Sequence, residues 1–278
     1  MLIVIGSILA VIVLIIIFFQ LPVSFVQRDY YKRVDKLIQK DKHISGTVTE
    51  ADIVDLPEPI QRYIHYIGIL GTQKRSYMKA YFRNVDFWQE RGGPNLTIDY
   101  IQYNFLSQPD RMALIDSKMK GIPFEGCDSY EDGVGGMKGT IGKVVTIFNV
   151  TGKEMDQACL VTYLADSILF PYALLEDFIT YEEIDKNHVK AKISYYGIET
   201  EGIFSINDLG EITSFTTNDR GVTNDDGSIT MVKWTVTADQ YRLDSDGIKK
   251  PTLLKAIWNY DDGDFIYFDS SSSTIEYH

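Results

Sequence analysis

The stretch KAYFRNVDFWQERGGPNLTIDYIQYNFLSQPDRMALIDSKM, residues 79–119, decides the fold class, because its apolar residues recur at a period close to two. Segments rich in aromatic or β-branched residues alternate here with turn-forming clusters: strands at 79–87, 97–105 and 111–119, turns at 91–94 and 108–110. Consecutive strands joined by short turns predict an antiparallel meander. The glycine-rich piece 131–139 lacks the Lys-Ser/Thr ending of a phosphate loop, so it predicts a hairpin or a bulge.

Two segments nearer the C-terminus alternate almost perfectly between apolar and polar residues, His188 to Tyr195 and Val232 to Ala238. Such strands have one packed and one solvated face, as an antiparallel sheet allows. Acidic clusters that end in or contain glycine predict the hairpin turns of this half: 224–227, 244–247 and 261–264. We therefore predict a mainly β (α+β) fold with a curved antiparallel sheet of about ten to twelve strands, which offers a concave face.

Two segments have helical periodicity and interrupt the strands. Residues 45–71 predict a helix with Asp55 as its N-cap and Gly68 as its end. In the centre of the chain, a helix from Glu154 to Leu169 is predicted to begin with a Thr-x-x-Glu capping box at Thr151. We expect its apolar stripe to face the concave side of the sheet, with Asp156 turned to solvent: Met155, Cys159, Thr162, Ala165 and Leu169.

The N-terminus predicts a single membrane anchor. Residues 2–19 are 18 apolar or small residues in a row, and residues 1–27 contain no charged side chain. A transmembrane helix needs about 20 apolar residues. A cleaved signal peptide would need a basic residue before the apolar run and a small-x-small site after it, and the sequence has neither. We therefore divide the chain into a transmembrane anchor (1–27), a basic juxtamembrane segment (28–50) and a β-rich domain (51–278).

The composition argues against several classes of function. A formal net charge of −12 repels phosphate, so we expect no nucleic-acid partner. Cys127 and Cys159 have no metal-ligand spacing, so we expect no metal and no cofactor, and a disulfide between them is left open. Asp244 begins a segment similar to a calcium loop, but Lys255 stands where that loop requires a glutamate.

Eighteen tyrosines and fourteen phenylalanines are more aromatic residues than a minimal core requires. Those on predicted strands either fill the core between sheet and helix or line the part of the concave face that one or two helices leave uncovered. Seven of them are our candidates for an apolar-ligand groove: Tyr100, Tyr103, Phe105, Trp234, Trp258, Phe265 and Phe268. Tyr260 and Tyr267 lie on the same predicted strands.

Four segments, in this order and at these distances, resemble an uncharacterised bacterial family of membrane-anchored β-rich proteins: LPEPIQRYIHYIGILG, CDSYEDGVGGMKG, DQACLVTYLADSILFPYALL and GDFIYFDSSSSTIEY. The motif residues are Arg62, Tyr63, Asp128, Tyr130, Tyr163, Phe170 and Pro171, and Asp166 stands where the pattern has glutamate. The resemblance covers Leu56 to Tyr277. It implies a fold similar to the LolA/LolB lipoprotein-carrier superfamily, an unclosed β-barrel with helices in its concavity, and it implies no activity.

The side of the membrane on which the domain lies has two conflicting signals. Six basic residues follow the anchor: Arg28, Lys32, Arg33, Lys36, Lys40 and Lys42. The positive-inside rule would keep this flank in the cytoplasm, although the same segment also suits a solvated helix with charge pairs four residues apart. The carriers that the chain resembles work outside the cytoplasmic membrane. On that resemblance we lean toward the outer face.

These features support one preferred hypothesis and two alternatives. The preferred one is a membrane-anchored module that binds an apolar or amphipathic ligand, such as a lipid, an acyl chain or a lipoprotein. The first alternative is a protein–protein interaction module of a membrane assembly. A hydrolase of lipid-linked substrates is less favoured, and its candidate residues are Asp128, Asp166 and His65. The sequence leaves the oligomeric state open.

Overall fold

The computed structural model describes residues 2–21, 24–41, 44–224 and 229–278. Its α-helices are α1 (Leu2–Gln20), α2 (Phe25–Lys40), α3 (Glu58–Ile67) and α4 (Lys153–Ala165). Its strands are β1 (Tyr77–Trp88), β2 (Asn95–Phe105), β3 (Arg111–Met119), β4 (Ile122–Glu131), β5 (Val134–Ile141), β6 (Val145–Thr151), β7 (Ile179–Asp185), β8 (His188–Tyr195), β9 (Ile198–Ile206), β10 (Ile212–Thr217), β11 (Gly221–Thr223), β12 (Ile229–Met231), β13 (Lys233–Asp239), β14 (Arg242–Leu243), β15 (Lys249–Lys250), β16 (Leu253–Tyr260), β17 (Gly263–Ser270) and β18 (Ser273–Tyr277).

One antiparallel sheet contains fourteen of these strands, in the order β6-β5-β4-β3-β2-β1-β17-β16-β13-β10-β9-β8-β7, with β18 also paired to β1. The predicted meander is confirmed, since β1, β2 and β3 pair as consecutive neighbours. The strand count exceeds the prediction partly because the serines break the last strand. Ser270 ends β17 and Ser273 begins β18, and the two strands pair with different halves of β1.

The curved sheet does not close, and helices fill part of its concave side, as predicted. The chain leaves the sheet at one edge strand, β6, and re-enters it at the other, β7. Between them α4 crosses the opening and contacts β5 near one edge and β8 and β9 near the other. Helix α3 packs beside β8 and β9 through its buried face, including Tyr63 and Ile64.

The start of α4 differs from the predicted capping box. Thr151 is the last residue of β6 and pairs with Gly136, so its side chain does not cap the helix. Gly152 turns the chain instead, at φ 124°, a conformation that favours glycine. The helix ends at Ala165, and Asp166–Ile168 form a 3₁₀ turn. Asp156 is not turned to solvent either, because its carboxylate accepts the Gly135 N–H at 2.7 Å.

The first domain helix is also shorter than predicted. It begins at Glu58 with Pro57 as the N-cap residue, so Asp55 does not cap it. Pro59, the second residue of the helix, suits a first turn, because its φ is fixed near the helical value and the N–H it lacks would have no partner there. Its predicted end is confirmed, since Gly68 adopts φ 83° as the C-cap.

The helix α2 packs on the outer, convex face of β2–β4, which the sequence did not predict. Its buried residues join side chains of the sheet in an apolar cluster, here called the outer cluster: Tyr30, Val34, Leu37, Tyr103, Phe105, Met112 and Leu114. The ion pairs of its basic residues, among the described residues, are with the domain. Lys40 contacts Asp110 at 3.4 Å, and Lys36 contacts Glu131 at 3.0 Å.

Three of the predicted hairpin turns can be compared with the structure, and each joins two neighbouring strands. Asp132 and Gly133 both have positive φ and join β4 to β5, which confirms the hairpin in the glycine-rich piece. The turn 244–247 joins β14 to β15, and its carboxylates bind the Lys250 ammonium at 2.7 and 2.5 Å. The turn at Asp261 and Asp262 joins β16 to β17. Residues 225–227 of the remaining predicted turn lie outside the described residues.

Candidate functional site

The part of the concave face that α4 leaves uncovered forms a cavity of about 130 Å³. One side of it is an aromatic wall made by residues of β1, β2, β13 and β17: Phe82, Phe87, Tyr100, Trp234, Tyr267 and Phe268. Pockets for drug-sized ligands are larger, about 300–1,000 Å³. A volume near this one, about 150 Å³, holds benzene in an apolar cavity. The cavity therefore has room for one ring or for the end of an aliphatic chain.

A buried ionic network around Arg111 adjoins this aromatic wall and shares Tyr100 with it. Its guanidinium donates to Asp128 at 2.8 Å, to Asp166 at 2.7 Å and to the Tyr100 hydroxyl at 2.5 Å. Gln102 and Asn104 donate to the same Asp166 oxygen at 2.7 and 3.2 Å. Five of the six residues line the cavity directly: Tyr100, Gln102, Arg111, Asp128 and Asp166.

The sheet register explains how these side chains meet. Asn104 pairs with Arg111 across β2 and β3, and Ala113, two residues further along, pairs with Asp128 on β4. Residues two apart on a strand share a face, so all of these side chains point into the concavity. Asp166 reaches them from the 3₁₀ turn that follows α4. The network thus ties the end of the helix to the middle of the sheet.

Burial and ion pairing shift the pKa of the Asp166 carboxyl in opposite directions. Burial raises the pKa of the Asp166 carboxyl, and the charge and hydrogen bond of Arg111 lower it. Arginine stays protonated in proteins. Removing such charges from water costs several kcal/mol per ion, so a buried ion network is weak evidence for stability. Stability alone therefore does not explain why the network lies on the cavity wall.

A second guanidinium lies at the aromatic wall. Arg220 sits 4.1 Å from the centroid of the Trp234 ring and 5.4 Å from that of Trp258. Trp234 is fixed in turn by a hydrogen bond from its Nε1 to the Tyr267 hydroxyl at 3.0 Å. Arg220 lines the cavity, and none of the ion pairs among the described residues includes it. It is a cation that a ligand's polar end could reach.

Both cysteines are free thiols in the structure, on opposite faces of the sheet. Cys159 on α4 lies 3.8 Å from Asp128 in the concavity, and Cys127 packs on the outer cluster. Burial raises the pKa of both thiols, that of Cys127 to about 11. A protonated, buried thiol is a poor nucleophile.

The seven predicted groove residues fall into three places. Tyr100, Trp234 and Phe268 lie together in the cavity. Trp258 packs beside it, with its ring 5.7 Å from that of Tyr267, and Phe265 pairs with Trp258 across the strands. Tyr103 and Phe105 lie on the other face, in the outer cluster. A role in ligand binding stays a prediction for each of them.

The hydrolase candidates are only partly brought together. Asp128 and Asp166 share the cavity, where Arg111 binds both carboxylates. His65 lies on α3, half exposed, and its Nε2 is 3.7 Å from Glu50. Since Arg111 contacts both acids, neither is placed as a free general base.

The residues of the sequence motifs are mostly structural. Tyr63 donates to the Ile168 carbonyl at 2.9 Å, and Tyr163 donates to the Phe105 carbonyl at 2.7 Å. Arg62 donates to the Lys186 carbonyl at 2.7 Å. Tyr130, Phe170 and Pro171 are buried. Of the seven, Asp128 is the one that lines the cavity.

Several cavity residues were not found from the sequence. Arg111, Gln102, Arg220 and Phe87 carried no motif, although Tyr100, Gln102 and Asn104 do alternate along β2. This polar alternation in a segment otherwise rich in aromatic residues was the available signal. It marks the concave face of the strand, whereas Tyr103 and Phe105 mark the outer one.

A larger groove of about 690 Å³ lies on the outer face, between the start of α2 and strands β4–β6. Its walls carry charged side chains of both signs, including Asp29, Arg33 and Lys138. A ligand site is expected to be mostly apolar with few convergent polar groups, which describes the smaller cavity better.

A family model described as "Family of unknown function (DUF6544)" matches residues 46–270. No curated protein matches the sequence. Among solved structures, a putative outer membrane lipoprotein-sorting protein domain from Vibrio parahaemolyticus is 8% identical, over 73% of this chain and 84% of that chain, with a TM-score of 0.35. A DUF1329 family protein from Desulfovibrio piger ATCC 29098 is 13% identical, over 79% of this chain and 91% of that chain, also with a TM-score of 0.35. At this level of similarity neither structure supports an inference about a ligand.

Proposed function

We propose that this chain, which belongs to the DUF6544 family of unknown function, binds the apolar end of an amphipathic small molecule in its concave cavity. The observation that carries the proposal is the cavity itself, where an aromatic wall and the Arg111 network meet at Tyr100. An amphipathic ligand matches both walls at once.

The aromatic wall supplies the affinity for the apolar end. Burying apolar surface is favourable by about 25 cal/mol per Å², and the rings of Phe82, Phe87, Trp234 and Phe268 offer such surface to a ligand. The volume of about 130 Å³ limits what enters to one ring or a short stretch of chain. The remainder of a longer ligand lies outside the cavity.

The polar groups supply orientation. The Tyr100 hydroxyl and the Arg111 network present hydrogen-bonding groups on one wall, and Arg220 presents a cation held over two indoles. A few fixed polar groups in an apolar site are the usual means of orienting a ligand. A carboxylic acid or phosphate ester with an aliphatic chain has the matching pattern.

The same proposal places the domain beside a membrane. Helix α1 has 19 residues and is long and apolar enough to span one, and its sequence carries no charge. We infer a single pass through the cytoplasmic membrane. The outer face as the location of the domain, and the kinship with lipoprotein carriers, rest on the sequence resemblance and are part of this proposal.

A binding titration tests the proposal. The full-length chain, purified in detergent, is titrated with cis-parinaric acid, a straight-chain fatty acid whose fluorescence rises in an apolar site. Ala256 lines the cavity beside Val236, its partner on the neighbouring strand, so Ala256→Leu should fill part of the cavity. We expect it to weaken binding at least about tenfold, which corresponds to about 1.4 kcal/mol.

The matched control adds the same side chain elsewhere. Thr213 lies on an exposed position of β10, so Thr213→Leu should leave the affinity unchanged. Urea unfolding of both variants establishes that they fold. If a folded Ala256→Leu protein binds the acid as tightly as the parent chain, the ligand does not occupy this cavity.

A further inference from the structure

We infer that an apolar corner of the sheet beside α1 lies in the lipid interface of the membrane that α1 spans. This corner, here called the membrane corner, consists of Ile122, Val144, Val145 and Ile147. The inference rests on α1 as a transmembrane helix and is independent of the ligand cavity.

The membrane corner is apolar and open. Its four side chains are exposed by 39%, 58%, 56% and 47%, in sequence order. Ile122 begins β4, Val144 lies in the turn before β6, and Val145 and Ile147 belong to β6, which is an edge strand. Contiguous exposed apolar side chains on a folded domain mark an interaction site.

Direct contacts place this corner at the domain-proximal end of α1. The Lys143 ammonium donates to the Leu21 carbonyl at 2.6 Å, just past the end of the helix. The Phe19 ring lies against Gly142, in the turn between β5 and β6. Because residues 2–20 form the apolar helix, its domain-side end marks the boundary between hydrocarbon and water. The corner is therefore at the depth of that boundary.

The charge around the corner fits a lipid surface. The two segments that form it, 118–124 and 141–148, contain Lys118, Lys120 and Lys143 and no acidic residue, in a chain with a net charge of −12. Lysines beside apolar side chains are typical of segments that lie in the membrane interface, where they meet anionic headgroups. Lys143 is buried and lies near Asp116 and Glu125, so the exposed Lys118 and Lys120 are the lysines that reach the headgroups.

The alternative occupant is a strand of another chain, because an edge strand such as β6 exposes unpaired backbone groups. The contacts with α1 favour the membrane. A strand that paired with β6 along its length would have to approach beside the anchor, within the headgroup layer.

Tryptophan quenching in vesicles tests the inference. Full-length Val145→Trp protein is reconstituted in phosphatidylcholine vesicles with and without lipids brominated on their acyl chains. We expect the bromine to reduce the fluorescence of the added indole at least about twofold, because an interfacial side chain reaches the acyl boundary. The parent chain, with its three tryptophans, gives the background.

Two further variants make the outcome decisive. Val134 is the first residue of β5, and Ile141, the last, pairs with Val145 on β6. Val134 is 61% exposed and lies about 24 Å along β5 from Ile141, so Val134→Trp should not be quenched. Leu14→Trp, in α1, reports the bilayer itself. Quenching at position 14 without quenching at position 145 overturns the inference and leaves the anchor intact. Quenching at neither position overturns the anchor and the inference together. Equal quenching at positions 134 and 145 also overturns it.

Discussion

Strands β2–β4 present two very different faces to the helices that cover them. On the outer face, Tyr103, Met112 and Leu114 meet the apolar side of α2 and leave no charge inside the outer cluster. On the concave face, Gln102, Arg111 and Asp128 meet the end of α4 and border a cavity. The outer face is built as a stable contact. The concave face keeps charges that a stable contact would not need, which is the pattern expected of a binding site.

The largest expected loss of stability comes from a substitution in the ionic network of the concave face. Arg111→Met leaves the Asp128 and Asp166 carboxylates buried without their cation. Removing one partner of a buried ion network costs about 3–5 kcal/mol, and urea unfolding of the full-length chain measures it. The triple variant with Asp128→Asn and Asp166→Asn should recover most of that loss, because no buried charge is left unpaired. A loss below about 1 kcal/mol in the single variant would contradict the described network.

An intermediate effect is expected on the outer face. Leu37 is buried in the outer cluster, and Leu37→Ala removes apolar contacts without leaving a charge. Buried Leu→Ala changes cost about 2–5 kcal/mol, and we expect the lower end because α2 lies at the edge of the domain. The matched control is Lys36→Ala, one residue earlier: its ammonium is largely exposed and its pair with Glu131 should contribute less than about 1 kcal/mol. Equal losses in urea unfolding would mean that α2 is held by charge and not by apolar contact.

The smallest effect concerns a buried acid outside the Arg111 network. Burial raises the pKa of Glu176, in the segment between α4 and β7, to about 7, and none of the described ion pairs includes it. The folded state therefore keeps its proton where the unfolded state, with a pKa of about 4.5, has lost it. The Glu176 carboxyl therefore lowers the free energy of unfolding as the pH rises from about 4.5 to 7, and the full loss is present above that range.

Glu176→Gln removes that cost. We expect the variant to be more stable than the parent chain at pH 8 by about 1 kcal/mol, a value reduced for the partly exposed side chain, and equal to it at pH 4. Urea unfolding at the two pH values measures the difference. A variant that is less stable than the parent at pH 8 would show that Glu176 is stabilised as a carboxylate.

The sheet could be predicted from the sequence to a large extent, because one-sided strands carry their own pattern. His188–Tyr195 was predicted with the bounds that β8 has. The start of α4 could not be predicted, since Thr151 suits both a cap and a strand end, and its pairing with Gly136 is a long-range contact. The docking of α2 was missed for a similar reason. Its charged residues match partners about 70–100 positions away, such as Asp110 and Glu131.

The candidate site could be predicted only in part. Aromatic residues on strands led to Tyr100, Trp234 and Phe268, which lie at the cavity, and their role in binding stays a prediction. The same criterion selected Tyr103 and Phe105, because aromatic content does not reveal which face is concave. Arg111 carried no motif, and its role depends on Asp166, 55 residues later, reaching the same spot. Such meetings are set by the curvature of the sheet and not by local sequence.

Photolabelling tests the central claim most directly, because it asks which face of β2–β4 receives the ligand. The full-length chain in detergent is irradiated with a diazirine-bearing palmitic acid, with and without excess unlabelled palmitic acid, and the labelled peptides are mapped by mass spectrometry. We predict label that the competitor removes, at Trp234 and between Leu254 and Phe268, and loss of that label in Ala256→Leu. Label that the competitor leaves unchanged, or competed label confined to the outer cluster around Tyr30 and Met112, would contradict it.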